Sequence, residues 1–150
     1  MKFVSFDIVF QEIPDEVTLA INLSGCPNRC EGCHSPHLQE DAGEVLTKNV
    51  LVDLLNTYGN AVTCVCFMGG DSSPEKVLDL AQFAKQFHKK TAWYSGSSKI
   101  YENAPQHFDY IKLGKYRAEL GGLNSPTTNQ RFYKIEDETM IDVTERFYKF

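Results

Sequence analysis

Val62-Thr63-Cys64-Val65-Cys66-Phe67 is a short apolar run that passes through Met68 into Gly69-Gly70-Asp71, and Ser72-Ser73-Pro74 follows at once. Such a run, bounded by turn residues and rich in β-branched and aromatic side chains, marks a strand buried on both faces. The glycines break it. Ser72 or Ser73 then caps a helix, with Pro74 in the first turn, where its missing amide leaves no bond unmade. Val77, Leu80, Ala81, Ala84 and Phe87 fall on one side of that helix. Strand, glycine turn and helix form half of a βαβ unit, and this sets the class as α/β with a parallel sheet and right-handed crossovers.

Toward the N-terminus, residues 3–10 (FVSFDIVF) and 17–23 (VTLAINL) read as strands separated by the turn-forming Pro14-Asp15. Thr47 is placed to cap a helix whose apolar positions are Val50, Leu51, Leu54, Leu55 and Tyr58, with Gly59 placed to stop it. Toward the C-terminus, Thr91-Ala92-Trp93-Tyr94 is a strand ending at Ser95-Gly96, and His107 to Leu113 is another ending at Gly114. From Gly121 onward the chain is less regular, apart from an edge strand at Arg131 to Ile135. These short strands and two helices are too few to close a barrel. The expected fold is therefore a single domain over 1–150, a partial, open βα barrel with a mostly parallel sheet. Cys26, Gly69-Gly70-Asp71, Ser95-Gly96 and Gly114-Lys115 each follow a strand directly, which gathers them at the C-terminal edge where parallel sheets take their ligands.

Composition narrows the functions. The chain has 150 residues, with 15 Lys plus Arg against 20 Asp plus Glu, and is 42% hydrophobic and 12% aromatic. That content supplies a core for one domain and excludes disorder. The positive charges are scattered and outnumbered, which argues against nucleic acid as a partner. Asp7 interrupts the apolar N-terminal stretch before any cleavage site, and no run reaches the roughly 18 apolar residues that cross a bilayer. A cytoplasmic chain with no membrane partner is expected, and its five cysteines are then ligands or free thiols rather than disulfides.

Cys26, Cys30 and Cys33 fall within eight residues, Cys-Pro-Asn-Arg-Cys-Glu-Gly-Cys. Three thiolates can wrap a cubane iron–sulfur cluster and leave its fourth iron open to an exogenous ligand. With His34 or His37 the same loop can instead close a tetrahedral zinc site that serves folding alone. Gly69 and Gly70 allow close approach to the main chain, and the Asp71 carboxylate can accept from an ammonium group, so together they form a candidate amine site. Their plainer meaning is a strand-to-helix turn. Cys64 and Cys66, two apart on one strand, face the same side. They are read as small core residues, with a redox pair or a further cluster ligand as the alternative.

The cysteine loop at 26–33 and Gly69-Gly70-Asp71 resemble the CxxxCxxC and glycine motifs of the radical S-adenosylmethionine superfamily. With Ser24-Gly25, His34-Ser35-Pro36, Trp93-Tyr94-Ser95-Gly96, Gly114-Lys115-Tyr116, Ser125 and Asn129-Gln130-Arg131, most of the chain is similar to the activating enzymes of the anaerobic (class III) ribonucleoside-triphosphate reductases. The resemblance implies an iron–sulfur oxidoreductase in which Cys26, Cys30 and Cys33 hold a [4Fe–4S] cluster. S-adenosyl-L-methionine would be bound by Gly69, Gly70 and Asp71, with Ser95 and Gly96 alongside. It implies an activase that forms a 5′-deoxyadenosyl radical and abstracts hydrogen from a glycine of the reductase large subunit, with a one-electron donor such as flavodoxin or ferredoxin. A radical enzyme acting on a small molecule, or a zinc-stabilised interaction domain, are the alternatives. Two stretches depart from the pattern: Gln11 to Glu16 stand where a Gly-Pro-Gly-x-Arg-like segment is common, and Leu113-Gly114 where Asp-Gly is common.

Overall fold

A computed structural model describes residues 1–25 and 42–148. β1 (Lys2–Val9) and β2 (Thr18–Leu23) form an antiparallel pair, and β3 (Glu44–Val45) borders β1. α1 (Lys48–Tyr58), β4 (Cys64–Met68), α2 (Pro74–Lys85), β5 (Lys90–Tyr94) and β6 (Tyr110–Leu113) follow, and β7 (Arg131–Glu136) with β8 (Thr139–Asp142) closes the order. One eight-stranded sheet results, in the order β3-β1-β2-β4-β5-β6-β7-β8. Its edges are β3 and β8, so it is an open mixed sheet with two α-helices among the described residues.

The pairings β2 with β4, β4 with β5 and β5 with β6 are parallel. The four outer pairings are antiparallel. The expectation of a mostly parallel sheet is corrected accordingly: both flanks are antiparallel, and antiparallel neighbours need no crossover helix. The helices are where periodicity put them. The Thr47 hydroxyl accepts from the Val50 amide at 3.2 Å, capping α1. Gly59 does not stop the helix in the left-handed conformation; it stays right-handed (φ −56°) and leads into a 3-10 turn over Gly59–Ala61.

Alternation along each strand divides the core in two. Leu19, Ile21 and Leu23 of β2, Val65 and Phe67 of β4, Trp93 of β5 and Ile111 of β6 meet Leu51, Leu55, Val77 and Ala81 of the helices. The opposite face carries Cys64, Cys66, Ala92, Tyr110 and Phe132, with Ile13 of the β1–β2 connection pressed into their midst. Ile13 is fully buried. Its segment is fastened on three sides: Tyr94 donates its phenol to the Glu12 carbonyl, Tyr110 donates to Glu16 Oε2 at 3.0 Å, and Arg146 donates to both oxygens of Asp15 at 2.7 and 3.0 Å. The Arg146 guanidinium holds the Asp15 carboxyl below its ordinary pKa. Residues 11–16 thus plug the sheet face that carries no α-helix among the described residues.

Candidate functional site

Four strand ends converge as the sequence predicts, and hydrogen bonds tie three of them together. The Gly69 amide donates to the Tyr94 carbonyl at 2.9 Å, and the Trp93 indole returns to the Gly69 carbonyl at 2.7 Å. Asp71 reaches from the β4 end to the β5 end, where its oxygens accept from Ser95 Oγ at 2.5 Å and from the Gly96 amide at 2.8 Å. Lys112 of β6 completes the line, its ammonium donating to the carbonyls of Ser95 at 2.9 Å and Gly114 at 3.1 Å. It also lies 5.6 Å from the centre of the Tyr94 ring. A charge-assisted bond holds each junction, so Gly69, Gly70, Asp71, Ser95 and Gly96 form one fastened patch.

The glycines are needed for more than ligand access. Gly70 has φ +87°, and a Cβ there would stand 2.5 Å from Val77 Cγ2 and 2.9 Å from Leu23 Cδ1. Its missing side chain is what lets α2 settle against β2. Gly69, at φ +104°, would place a Cβ 3.5 Å from the Leu23 carbonyl oxygen, which is ordinary contact; backbone hand alone favours glycine there. Gly70→Ala is expected to destabilise the fold by about 1–3 kcal/mol, from a strained backbone and a displaced helix, as a lowered urea midpoint at unchanged m-value.

The fourth strand end carries the cysteine segment. Cys26, Cys30, Cys33, His34 and His37 lie outside the described residues, but the points of departure and return do not. Ser24 Oγ donates to the Ala42 carbonyl at 2.6 Å and accepts from the Ala42 amide at 3.3 Å, while its own amide bonds the Lys2 carbonyl at 3.0 Å. Gly43, at φ +99°, lies so close to the Phe3 carbonyl that no Cβ fits. Ser24 and Ala42, on either side of that segment, are thus joined in one place, beside the C-terminal end of β2 and the start of β1. Three soft thiolate donors within that segment suit an iron–sulfur cluster.

Cys64 and Cys66 are free thiols with no exposed surface. Burial is the main reason both thiols titrate well above the ordinary range, the Glu16 charge adding to it at Cys64 and the Cys64 charge at Cys66. Cys66 Sγ rests 3.4 Å from Met68 Sδ. They belong to the core, and among the described residues no three His, Cys, Asp or Glu side chains gather to hold a metal ion. Lys112 was not singled out by sequence. Its signal was positional: it lies two residues beyond Tyr110 on one strand and so shares the plugged face at the C-terminal edge.

A family model described as a 4Fe-4S single cluster domain matches residues 17–113. The match opens one residue before β2 and closes at the last residue of β6, so it contains the cysteine segment and all three parallel pairings. No curated protein and no solved structure matches the chain significantly. Among the described residues no helix is long and apolar enough to cross a membrane.

Proposed function

We infer what the protein does from one premise: the chain belongs to the 4Fe-4S single cluster domain family. It is an iron–sulfur protein, and Cys26, Cys30 and Cys33 are the residues that would hold the cluster. The further reading is a cytoplasmic radical S-adenosylmethionine activase that installs a glycyl radical on the large subunit of an anaerobic ribonucleotide reductase, drawing electrons from a carrier such as flavodoxin or ferredoxin. The observation that carries it is a juxtaposition. Ser24 and Ala42, which flank the cysteine segment, are bonded to each other at the edge where Asp71 joins the β4 end to Ser95 and Gly96.

When bound, the cluster and S-adenosylmethionine supply the one-electron chemistry. The protein's part is to hold the cofactor and exclude water. Gly69 to Asp71 would receive its amino-acid end, while Asp71, Lys112 and Ser95 keep the three loops in register before anything binds. On the face opposite α1 and α2, Ile13 and Phe132 fill the floor, with Phe147 4.8 Å from the Phe132 ring. That filling directs approach to the C-terminal edge, which suits a loop presented by a large partner better than an enclosed small molecule.

Anaerobically reconstituted protein should contain iron and sulfide rather than zinc. With reductant, S-adenosylmethionine and the reductase it should yield 5′-deoxyadenosine and a glycyl-radical EPR doublet. Zinc without sulfide would leave only the interaction-domain alternative, and rapid cofactor cleavage driven by a free small molecule, with no radical on the reductase, would favour the other. Asp71→Ala should weaken cofactor binding by roughly tenfold to more than a hundredfold, because a hydrogen bond to a charged group contributes about 1.5–3 kcal/mol, at unchanged iron content. Unaltered affinity would confine Asp71 to fastening Ser95 and Gly96.

A further inference from the structure

On the face opposite α1 and α2, β4 carries sulfur at alternate positions, Cys64, Cys66 and Met68. Strand alternation points all three the same way. The last two touch: Cys66 Sγ lies 3.4 Å from Met68 Sδ, and the thiol donates its proton to the thioether. The residues in register with Cys66 on both neighbouring strands are alanines, Ala20 of β2 and Ala92 of β5, while Asn22 and Tyr94 flank Met68. Cys66 is fully buried, and Met68 at the C-terminal end of the strand is partly exposed. The pair is therefore reached from the edge of the sheet, through Met68.

We propose that Cys66 and Met68 bind one cuprous ion in place of the proton they now share. Thiolate and thioether are the soft donors that select Cu(I). Sulfur–metal bonds of about 2.3 Å let one ion bridge sulfurs up to about 4.6 Å apart, and the 3.4 Å contact falls inside that reach. Binding breaks the Cys66 S–H bond, forms a copper–thiolate bond and a dative bond from Met68, and releases one proton to solvent. Copper enters and stays as Cu(I), so no electron is gained or lost. A neutral thiol becomes a neutral copper thiolate, and the buried face acquires no charge. A divalent ion would leave a charge there, and zinc needs four ligands where the described residues bring no three His, Cys, Asp or Glu together. Distance excludes Cys64, because two residues of strand rise about 6.7 Å, beyond the span of one ion's two bonds. Burial pushes the Cys66 thiol well above its ordinary range, which keeps it protonated and inert until a soft cation displaces the proton. The pair shares no residue with the patch of Asp71, Ser95 and Gly96, and the proposal does not depend on the activase reading.

Cluster-loaded full chain under argon, given one equivalent of Cu(I) and then challenged with a cuprous chelator such as bathocuproine disulfonate, should keep about one copper per chain. Cys66→Ala should fall to near zero, and so should Met68→Leu, which preserves bulk and apolar character and hence the fold. Cys64→Ala should keep the ion. The same challenge on the full chain with Cys26, Cys30 and Cys33 all changed to Ala separates this pair from the loop thiols, and about one copper should again be retained. X-ray absorption at the copper edge should show sulfur neighbours. Copper absent from the wild type, retained unchanged in Met68→Leu, lost equally from Cys64→Ala, or lost together with the loop cysteines overturns the site. Iron and sulfide counted in the same samples keep the two readings apart: failure of the cluster assignment appears as missing iron, and failure of this one as missing copper.

Discussion

Changing Cys26, Cys30 or Cys33 to Ala is expected to remove the stable cluster, taking iron from about four per chain to near zero, whereas Cys64→Ala and Cys66→Ala should retain it. If three thiolates hold the cubane, two are too few to keep it from loss to solvent. Cys64 and Cys66 are core residues. They are fully buried, their thiols are held protonated mainly by burial, and they sit among Ile13, Ala92, Tyr110 and Phe132. Truncating either deletes one sulfur from a packed face and does not alter the three proposed ligands. Iron and acid-labile sulfide analysis decides the matter. Circular dichroism serves as the control, since the frame closed by Ser24 and Ala42 should keep its helices and strands in all five variants. Iron retained in Cys30→Ala, or lost in Cys66→Ala, would assign the ligands differently.

Ile13→Ala should produce the largest loss of fold stability, about 2–5 kcal/mol. Ile13 lies in a connection between strands, yet it is fully buried and contributes to the second core with Cys64, Cys66, Ala92, Tyr110 and Phe132. The bonds that fasten its neighbours, from Tyr94 to Glu12 and from Tyr110 to Glu16, limit how far the segment can collapse into the vacancy. The cavity cost therefore persists. For a chain of this length the melting temperature should fall by roughly 5–15 °C. An exposed neighbour provides the contrast: Phe10, 69% exposed, should tolerate Ala with little change. Equal melting temperatures for wild type and Ile13→Ala would show that the plug is dispensable.

The central unit was legible because each piece carried its own signal. The strand at Cys64–Met68 was a bounded apolar run, α2 opened on Pro74, and α1 had a working Thr47 cap. The placement of Cys64 and Cys66 on one face followed from strand alternation alone. What stayed hidden was structure with unusual chemistry. β7 and β8 are joined through Asp137 and Glu138 at φ +49° and +64°, positions that glycine or asparagine usually announce, so the hairpin gave no turn signal and β8 was read as irregular tail. β3 has two residues, too few for any periodicity. β6 begins at Tyr110 instead of His107, because the His107 carbonyl is taken by the Thr91 hydroxyl at 2.7 Å and the Asp109 carboxylate by the Thr91 amide at 2.9 Å. Ile13 looked like one apolar residue in a polar turn, since its partners are distant in sequence. In the candidate site the residue types were readable, while the internal use of Asp71 and the packing role of Gly70 depended on neighbours from other strands.

Ser24 and Ala42 join the two chain ends between which the cysteines fall in sequence. An excursion whose ends are already joined changes in length at a cost that grows only with the logarithm of its size, and it shifts no register in the strands that bear it. Mutation can thus rework the spacing and surroundings of the cysteines while the scaffold stays neutral to the change. A transplanted segment from a related chain should seat on the same two residues, which makes redox tuning and structural integrity separable traits for selection and for engineering alike.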